Sequence, residues 1–140
     1  MRGHRWSRGV LTTRGRPLRQ DGTTRPAAAG GEEMKVSLEG WNIANGAAAG
    51  WAPWGSGDQA RAKVLGSADG FFFAVVEASP GYRGDPHVHD HPEFLYVLDG
   101  AVRTQGQTLE RGDCYAAAAG SRHDDFGSDT GATYVSIFKL

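Results

Sequence analysis

The chain contains a single cysteine, Cys114, so no internal disulfide can form and nothing ties its folding to an oxidising compartment. That favours a cytoplasmic protein, with Cys114 read as a small buried hydrophobe. Long apolar runs are also missing. The longest, Phe71–Val76, is strand-sized and far short of the roughly 20 residues a membrane helix needs. Helical periodicity is absent, since no segment after Trp54 repeats its apolar residues at helical spacing over two turns. A basic body is missing too. Residues 1–33 hold seven Arg and three acids, net +4, whereas residues 34–140 hold eight basic and thirteen acidic groups, net −5. A mildly acidic body is a poor grip for nucleic-acid phosphates.

What is present is glycine, 21 residues of it, spread among short apolar runs. Residues 1–33 are Arg-, Gly- and Thr-rich and read as disordered. They could serve as a basic arm for an anionic partner or as a targeting peptide. The favoured reading is an upstream extension or tail, with Met34 as the natural start and residues 34–140 as the domain. A Gly/Ala/Pro-rich lead-in follows, and its Trp51 and Trp54 are expected to cover a core or an interface. Strands are predicted at Arg61–Leu65, Phe71–Ser79, Glu93–Leu98, Ala101–Gln105, Asp113–Ala117 and Ala132–Lys139. The Asp99–Gly100 pair between two apolar runs predicts a hairpin turn. Many short strands with frequent turns predict an all-β sandwich or barrel.

Four of the five histidines define one candidate site. His87, His89 and His91 alternate within HVHDHPE, Glu93 closes that stretch, and His123 follows thirty residues later. In an extended segment, alternate residues share a face, so His87, His89, His91 and Glu93 point one way, with Leu95 and Val97 as an apolar floor. Pro92 cannot donate to a ladder and predicts a break there, which leaves the role of His91 as a ligand open. Imidazoles and a carboxylate converging from two strands suit a divalent transition metal. A lone histidine is ordinarily a satisfied core or surface residue. Several at alternate positions with an acid beside them would need partners if buried.

At this point the residues resemble the cupin superfamily. In GYRGDPHVHDHPEFLYVLDG, Gly81, His87, His89, Glu93 and Gly100 fall at the spacing of its first motif. In GDCYAAAAGSRH, Gly112, Gly120 and His123 fit the second. Ala118 and Gly127 depart from the usual proline and asparagine, which predicts a looser turn after the Asp113–Ala117 strand. The resemblance implies a cupin jelly-roll β-barrel in which His87, His89, Glu93 and His123 bind one metal, with His91 set aside. It is closest in pattern to the single-domain anti-sigma-factor-type cupins and small metal-dependent dioxygenases.

Two functions follow as expectations. One is a metal-dependent enzyme such as a dioxygenase, with Fe(II), Mn(II), Zn(II), Ni(II) or Cu(II) as cofactor and a small chelating organic molecule as substrate. Leu95, Val97 and the Phe71–Phe73 aromatics would wall its pocket, and Arg83 or Arg122 would pair with an anionic substrate. The other is a sensing module acting through a protein partner. That reading calls for a helical domain ahead of the cupin, for which residues 1–50 show no convincing pattern. Because both sides of Phe71–Val76 are apolar, a second sheet face needs covering, which favours a homodimer.

Overall fold

Eleven strands and no helix make up residues 39–140, which are the residues described by this computed structural model. The readings made for residues 1–33 and for Met34 as a start lie outside the described residues. Among the described residues no helix is long and apolar enough to cross a membrane. The strands are β1 (Ala52–Pro53), β2 (Ala60–Ala68), β3 (Phe71–Ala78), β4 (Tyr82–Arg83), β5 (His87–Val88), β6 (Glu93–Thr104), β7 (Gln107–Glu110), β8 (Cys114–Ala117), β9 (Arg122–His123), β10 (Gly127–Ser128) and β11 (Ala132–Lys139). All pairings are antiparallel, and together they curl into the jelly-roll half-barrel that the cupin resemblance implied.

The central strand is β6. Its first half pairs with β8 and β11, and its second half with β7 and β10. This overturns the hairpin expected at Asp99–Gly100, because β6 runs straight through that pair. Asp99 and Gly100 lie opposite Thr133 and Ala132, and just before them the register shifts, because Val97 pairs with Tyr134 and Leu98 is left over, so a bulge sits at Leu98 beside the pair. Gly100 has φ 71°, and an added Cβ would stand 2.2 Å from the Gly131 carbonyl oxygen. A positive-φ glycine serves a bulge as readily as a turn, and the close partner is 31 residues away. The bulge bends β6 so that it belongs to both walls of the barrel. The hairpin itself comes later. Gln105 and Gly106 both have positive φ, 51° and 69°, the two-residue turn whose twist matches paired strands.

Alternation then sorts the side chains. On β3, Ala74, Val76 and Ala78 face inward; on β6, Leu95, Val97 and Val102 do the same. These pack with Ala60, Ala62, Tyr82 and Tyr134 into one core. Trp54 and Phe126 close over its edge. Trp51 instead lies on the outer face, under the charged heads of Arg61 and Lys63 at 4.4 Å and 4.6 Å. Of the two lead-in tryptophans, Trp54 covers the core as expected, whereas Trp51 packs beneath two cations on the outer face instead.

Cys114 is exposed rather than buried. On β8, Tyr115 and Ala117 point inward, which puts Cys114 and Ala116 outside.

Candidate metal centre

The histidines come together through strand pairing. His87 on β5 lies directly opposite His123 on β9, so both side chains leave the same face. The pairing continues beyond the assigned strands. The His89 N–H donates to the Ser121 carbonyl at 2.9 Å, and the Gly120 N–H to the His89 carbonyl at 2.7 Å. Two residues along from His87, His89 therefore shares its face. Ring centroids are 4.8 Å apart for His87–His89 and 5.3 Å for each of the other pairs. One nitrogen from each ring lies within 4.8 Å of the others, so these three imidazoles could hold a metal ion. His89 and His123 are buried, and His87 stands at the open side.

Hydrogen bonds to the far sides of the rings set which nitrogen is free. His87 Nδ1 is 2.8 Å from the Asp85 carbonyl oxygen, which can only accept, so Nδ1 carries the proton and Nε2 the lone pair. Ser121 donates its hydroxyl proton to the Ala118 carbonyl at 2.6 Å. Its oxygen is thus left to accept from His89 Nδ1 at 3.0 Å, which frees Nε2. Thr104 Oγ1 lies 2.7 Å from His123 Nε2, leaving Nδ1. His89 Nε2 and His123 Nδ1 are buried with no partner. Two buried, unpartnered ring nitrogens beside a third imidazole are a donor set suited to a transition metal. Burial, the largest influence, also lowers the pKa of His123 and favours its neutral, ligating form.

Glu93 opens β6 beside this cluster, with Oε2 3.6 Å from His89 Nε2. The Tyr115 hydroxyl donates to its other oxygen, Oε1, in a very short hydrogen bond. The pair is diagonal across β6 and β8, since Glu93 faces Ala117 and Leu95 faces Tyr115. Burial and then the Glu93 charge push the Tyr115 pKa far up, so the phenol stays protonated and donating. His91 lies in the bend between β5 and β6 and is not one of the three clustered imidazoles; it lines the cavity nearby. The break at Pro92 is observed.

The turn after β8 is not loose. The N–H and hydroxyl of Ser121 both bond the Ala118 carbonyl, at 3.1 Å and 2.6 Å, which closes the turn that proline would have stiffened. Gly127 answers a separate constraint, because a Cβ there would come within 2.6 Å of the Tyr82 carbonyl oxygen.

A cavity of about 530 Å³ opens over the histidines. Leu95 lines it as expected, but Val97 and the Phe71–Phe73 run do not. Phe71, Phe72 and Phe73 line a separate outer depression with Trp41. The aromatic wall comes from Trp54, Tyr82, Tyr115, Phe126, Tyr134 and Phe138 instead. The Phe126 ring is 5.0 Å from His123 and 5.6 Å from Tyr134. Sequence reasoning missed these residues because they come from separate elements, although Tyr115 and Tyr134 keep the inward parity of their strands. Neither Arg83 nor Arg122 lines the cavity. Arg83 is drawn outward to Asp129 at 2.5 Å, and Arg122 to Asp124 at 2.7 Å. The Asp125 carboxylate accepts the backbone N–H groups of Gln105 and Gly106 at 2.6 Å and 2.9 Å, pinning the β6–β7 turn.

The model of the family described as the ChrR cupin-like domain matches residues 42–139. No curated protein matches the chain. Among solved structures, an RmlC-like cupin from Shewanella frigidimarina superposes with TM-score 0.61 at 21% identity, covering 69% of this chain and 88% of that one. A putative acetylacetone dioxygenase from Methylibium petroleiphilum gives TM-score 0.60 at 18% identity, covering 80% of each. The Rhodobacter sphaeroides complex of SigE with the anti-sigma ChrR gives 0.58 at 19% identity, covering 68% of this chain and 52% of that one. At these identities the likeness is one of fold.

Proposed function

Because the chain belongs to the ChrR cupin-like domain family, we propose that it is a metal-dependent enzyme, a dioxygenase acting on a small chelating organic substrate. Residues 34–140 form its working domain, and its place is the cytoplasm. His87, His89, Glu93 and His123 hold the metal. The observation that carries this reading is the pair of buried, unpartnered nitrogens, His89 Nε2 and His123 Nδ1, which meet His87 beneath an aromatic-lined cavity.

A divalent transition metal bound there (Fe, Mn, Zn, Ni or Cu) would supply Lewis acidity and, for the redox-active ions, reactivity toward dioxygen. The chain's own residues do the rest. Ser121, Thr104 and the Asp85 carbonyl hold the three rings so that one nitrogen of each faces the others. Tyr115 turns the Glu93 carboxylate toward the cluster. The aromatic wall shields the bound substrate from bulk water. No separate general base stands out, which suits chemistry carried by the cofactor.

The test has two stages. Elemental analysis of protein supplemented with each metal should find close to one equivalent. Oxygen uptake by the loaded protein is then followed with a panel of diketones and catechols. Occupancy below about a fifth of a site would sink the metal reading, and full occupancy without turnover would sink the dioxygenase.

A second reading, a sensing module that acts through a protein partner, is favoured by one observation. The fold is shared with the ChrR of the SigE complex, whose own chain extends well past the matched part. Stable capture of a partner by a metal-loaded but catalytically silent protein would support it. In either reading the exposed apolar sheet face supports a homodimer.

A further inference from the structure

Of the three imidazoles, His123 rests on the least regular backbone. Its strand, β9, is two residues long and pairs only with the equally short β5. Asp124 and Asp125 follow, outside any strand, before β10 begins at Gly127. Short segments with few ladder bonds open locally at little cost. A second support holds this one, and it comes from the β6–β7 turn.

Gln105 and Gly106 lie beyond the last ladder pair of that hairpin, Thr104–Gln107, so the sheet does not use their N–H groups. One carboxylate takes both. The Gln105 N–H donates to Asp125 Oδ1 at 2.6 Å, and the Gly106 N–H to Asp125 Oδ2 at 2.9 Å. The Gln105 side-chain amide donates to the Arg122 carbonyl at 2.6 Å. One residue earlier, Thr104 Oγ1 meets His123 Nε2 at 2.7 Å. Four hydrogen bonds therefore join residues 104–106 to residues 122–125, with His123 between the two anchored ends. Two of them end on an ionised acceptor, the stronger kind. Gln105 also holds φ 51°, a conformation that is costly for any residue with a side chain. Glycine would fit there more easily, but only a long amide reaches Arg122. None of Gln105, Gly106 and Asp125 lines the cavity over the histidines, so the grip acts from outside it.

We propose that the β6–β7 turn is a clasp for the third metal ligand, and that Gln105 and Asp125 are positioning residues that fix how His123 is presented to the metal. This rests on the metal-dependent reading given above. The clasp acts through Thr104 and through the backbone on either side of His123, and it touches neither metal nor substrate.

The test measures Zn(II) affinity, by competition with a chromogenic chelator, for wild type, Asp125→Ala, Gln105→Ala and Gly112→Ala. Gly112 serves as the control. It has φ 93° in the β7–β8 turn, with open space around it, so its substitution strains the backbone and leaves the clasp intact. Asp125→Ala should bind zinc about tenfold more weakly than wild type, Gln105→Ala should weaken binding by less, and Gly112→Ala should keep the wild-type affinity. In long-range proton–nitrogen correlation spectra of the zinc-loaded proteins, the His123 ring signals should broaden or split in Asp125→Ala, while those of His87 and His89 stay in place. Unchanged affinity in either clasp variant overturns the proposal. So does an equal loss in Gly112→Ala, or disturbance of all three histidines together, since either would mark a general loss of stability. A wild type that binds metal and takes up no oxygen loses the dioxygenase and leaves the clasp standing; a wild type that takes up no metal removes both.

Discussion

Tyr115 and Glu93 are joined across strands: the phenol donates to Oε1, and Oε2 is left facing His89 Nε2 at 3.6 Å. Without the phenol, the carboxylate is free to rotate away from the imidazoles. Groups that orient a metal ligand typically contribute about 10–100-fold in affinity. Tyr115→Phe should therefore weaken metal binding by at least about tenfold, read by competition with a chromogenic chelator, while the secondary structure seen by circular dichroism is retained. Unchanged affinity would mean that Glu93 does not need Tyr115, or that Glu93 is no ligand.

The three imidazoles separate from His91 by position, and a pair of alanine variants should separate them by behaviour. His89 is buried with an orphaned nitrogen, whereas His91 lies in the bend before β6, outside the cluster. His89→Ala should lose nearly all bound metal. It should also lose the stabilisation the metal provides to the folded state, about 2.7 kcal/mol when free metal stands at a hundred times its dissociation constant. His91→Ala should keep its metal and most of that stability. Elemental analysis with melting curves in the presence and absence of chelator gives the comparison, and full occupancy in His89→Ala contradicts the ligand assignment.

Why part of this site is legible in the sequence follows from how local each relationship is. His87 and His89 share a face because strands alternate, and that is visible over three residues. The break at Pro92 is equally local. Gly100 shows the limit: an Asp-Gly pair signals a positive φ, but whether the chain reverses or merely bends depends on Gly131 and Ala132, which lie across the sheet. The aromatic wall is less legible still. Phe126 and Tyr134 reach the cavity only through the closure of the barrel, while in the conspicuous Phe71–Phe73 run Phe71 and Phe73 point outward and Phe72 stacks behind the wall, on the Phe138 ring at 5.5 Å. Arg83 and Arg122 look like anion binders until their carboxylate partners are seen. Cys114 looks like core until the inward parity of Tyr115 fixes its neighbours.

Asp125 provides a pH-dependent contribution that can be isolated. Its pKa is lowered because the backbone N–H groups of Gly106 and Gln105 bond the ionised carboxylate. A depressed folded-state pKa means stability that is fully present above the unfolded value, near 3.9, and is lost as pH falls through the lower folded value. Asp125→Ala should therefore melt below wild type at neutral pH. That gap should narrow as pH falls below about 4, whereas a gap independent of pH down to about 2 would show that the ionised form is not what pins the turn.

The outer sheet face leads to an assembly prediction. Ile137 pairs with Phe73 on one side and Phe94 on the other, and Val135 pairs with Val75 and Tyr96, so apolar side chains form a continuous stripe across β3, β11 and β6. Phe73, Phe94 and Tyr96 are each more than 40% exposed. Trp51 shields only the Arg61 and Lys63 end, leaving the β6 side uncovered among the described residues. A large apolar patch left in water is unfavourable, and a second copy of the same face would remove it. Wild type should thus run as a dimer in light scattering. Tyr96→Glu, placing a charge in the middle of the stripe and pointing away from the cavity, should run as a monomer with unchanged metal content. A monomeric wild type would sink the dimer outright. A dimeric Tyr96→Glu would mean that the copies meet elsewhere.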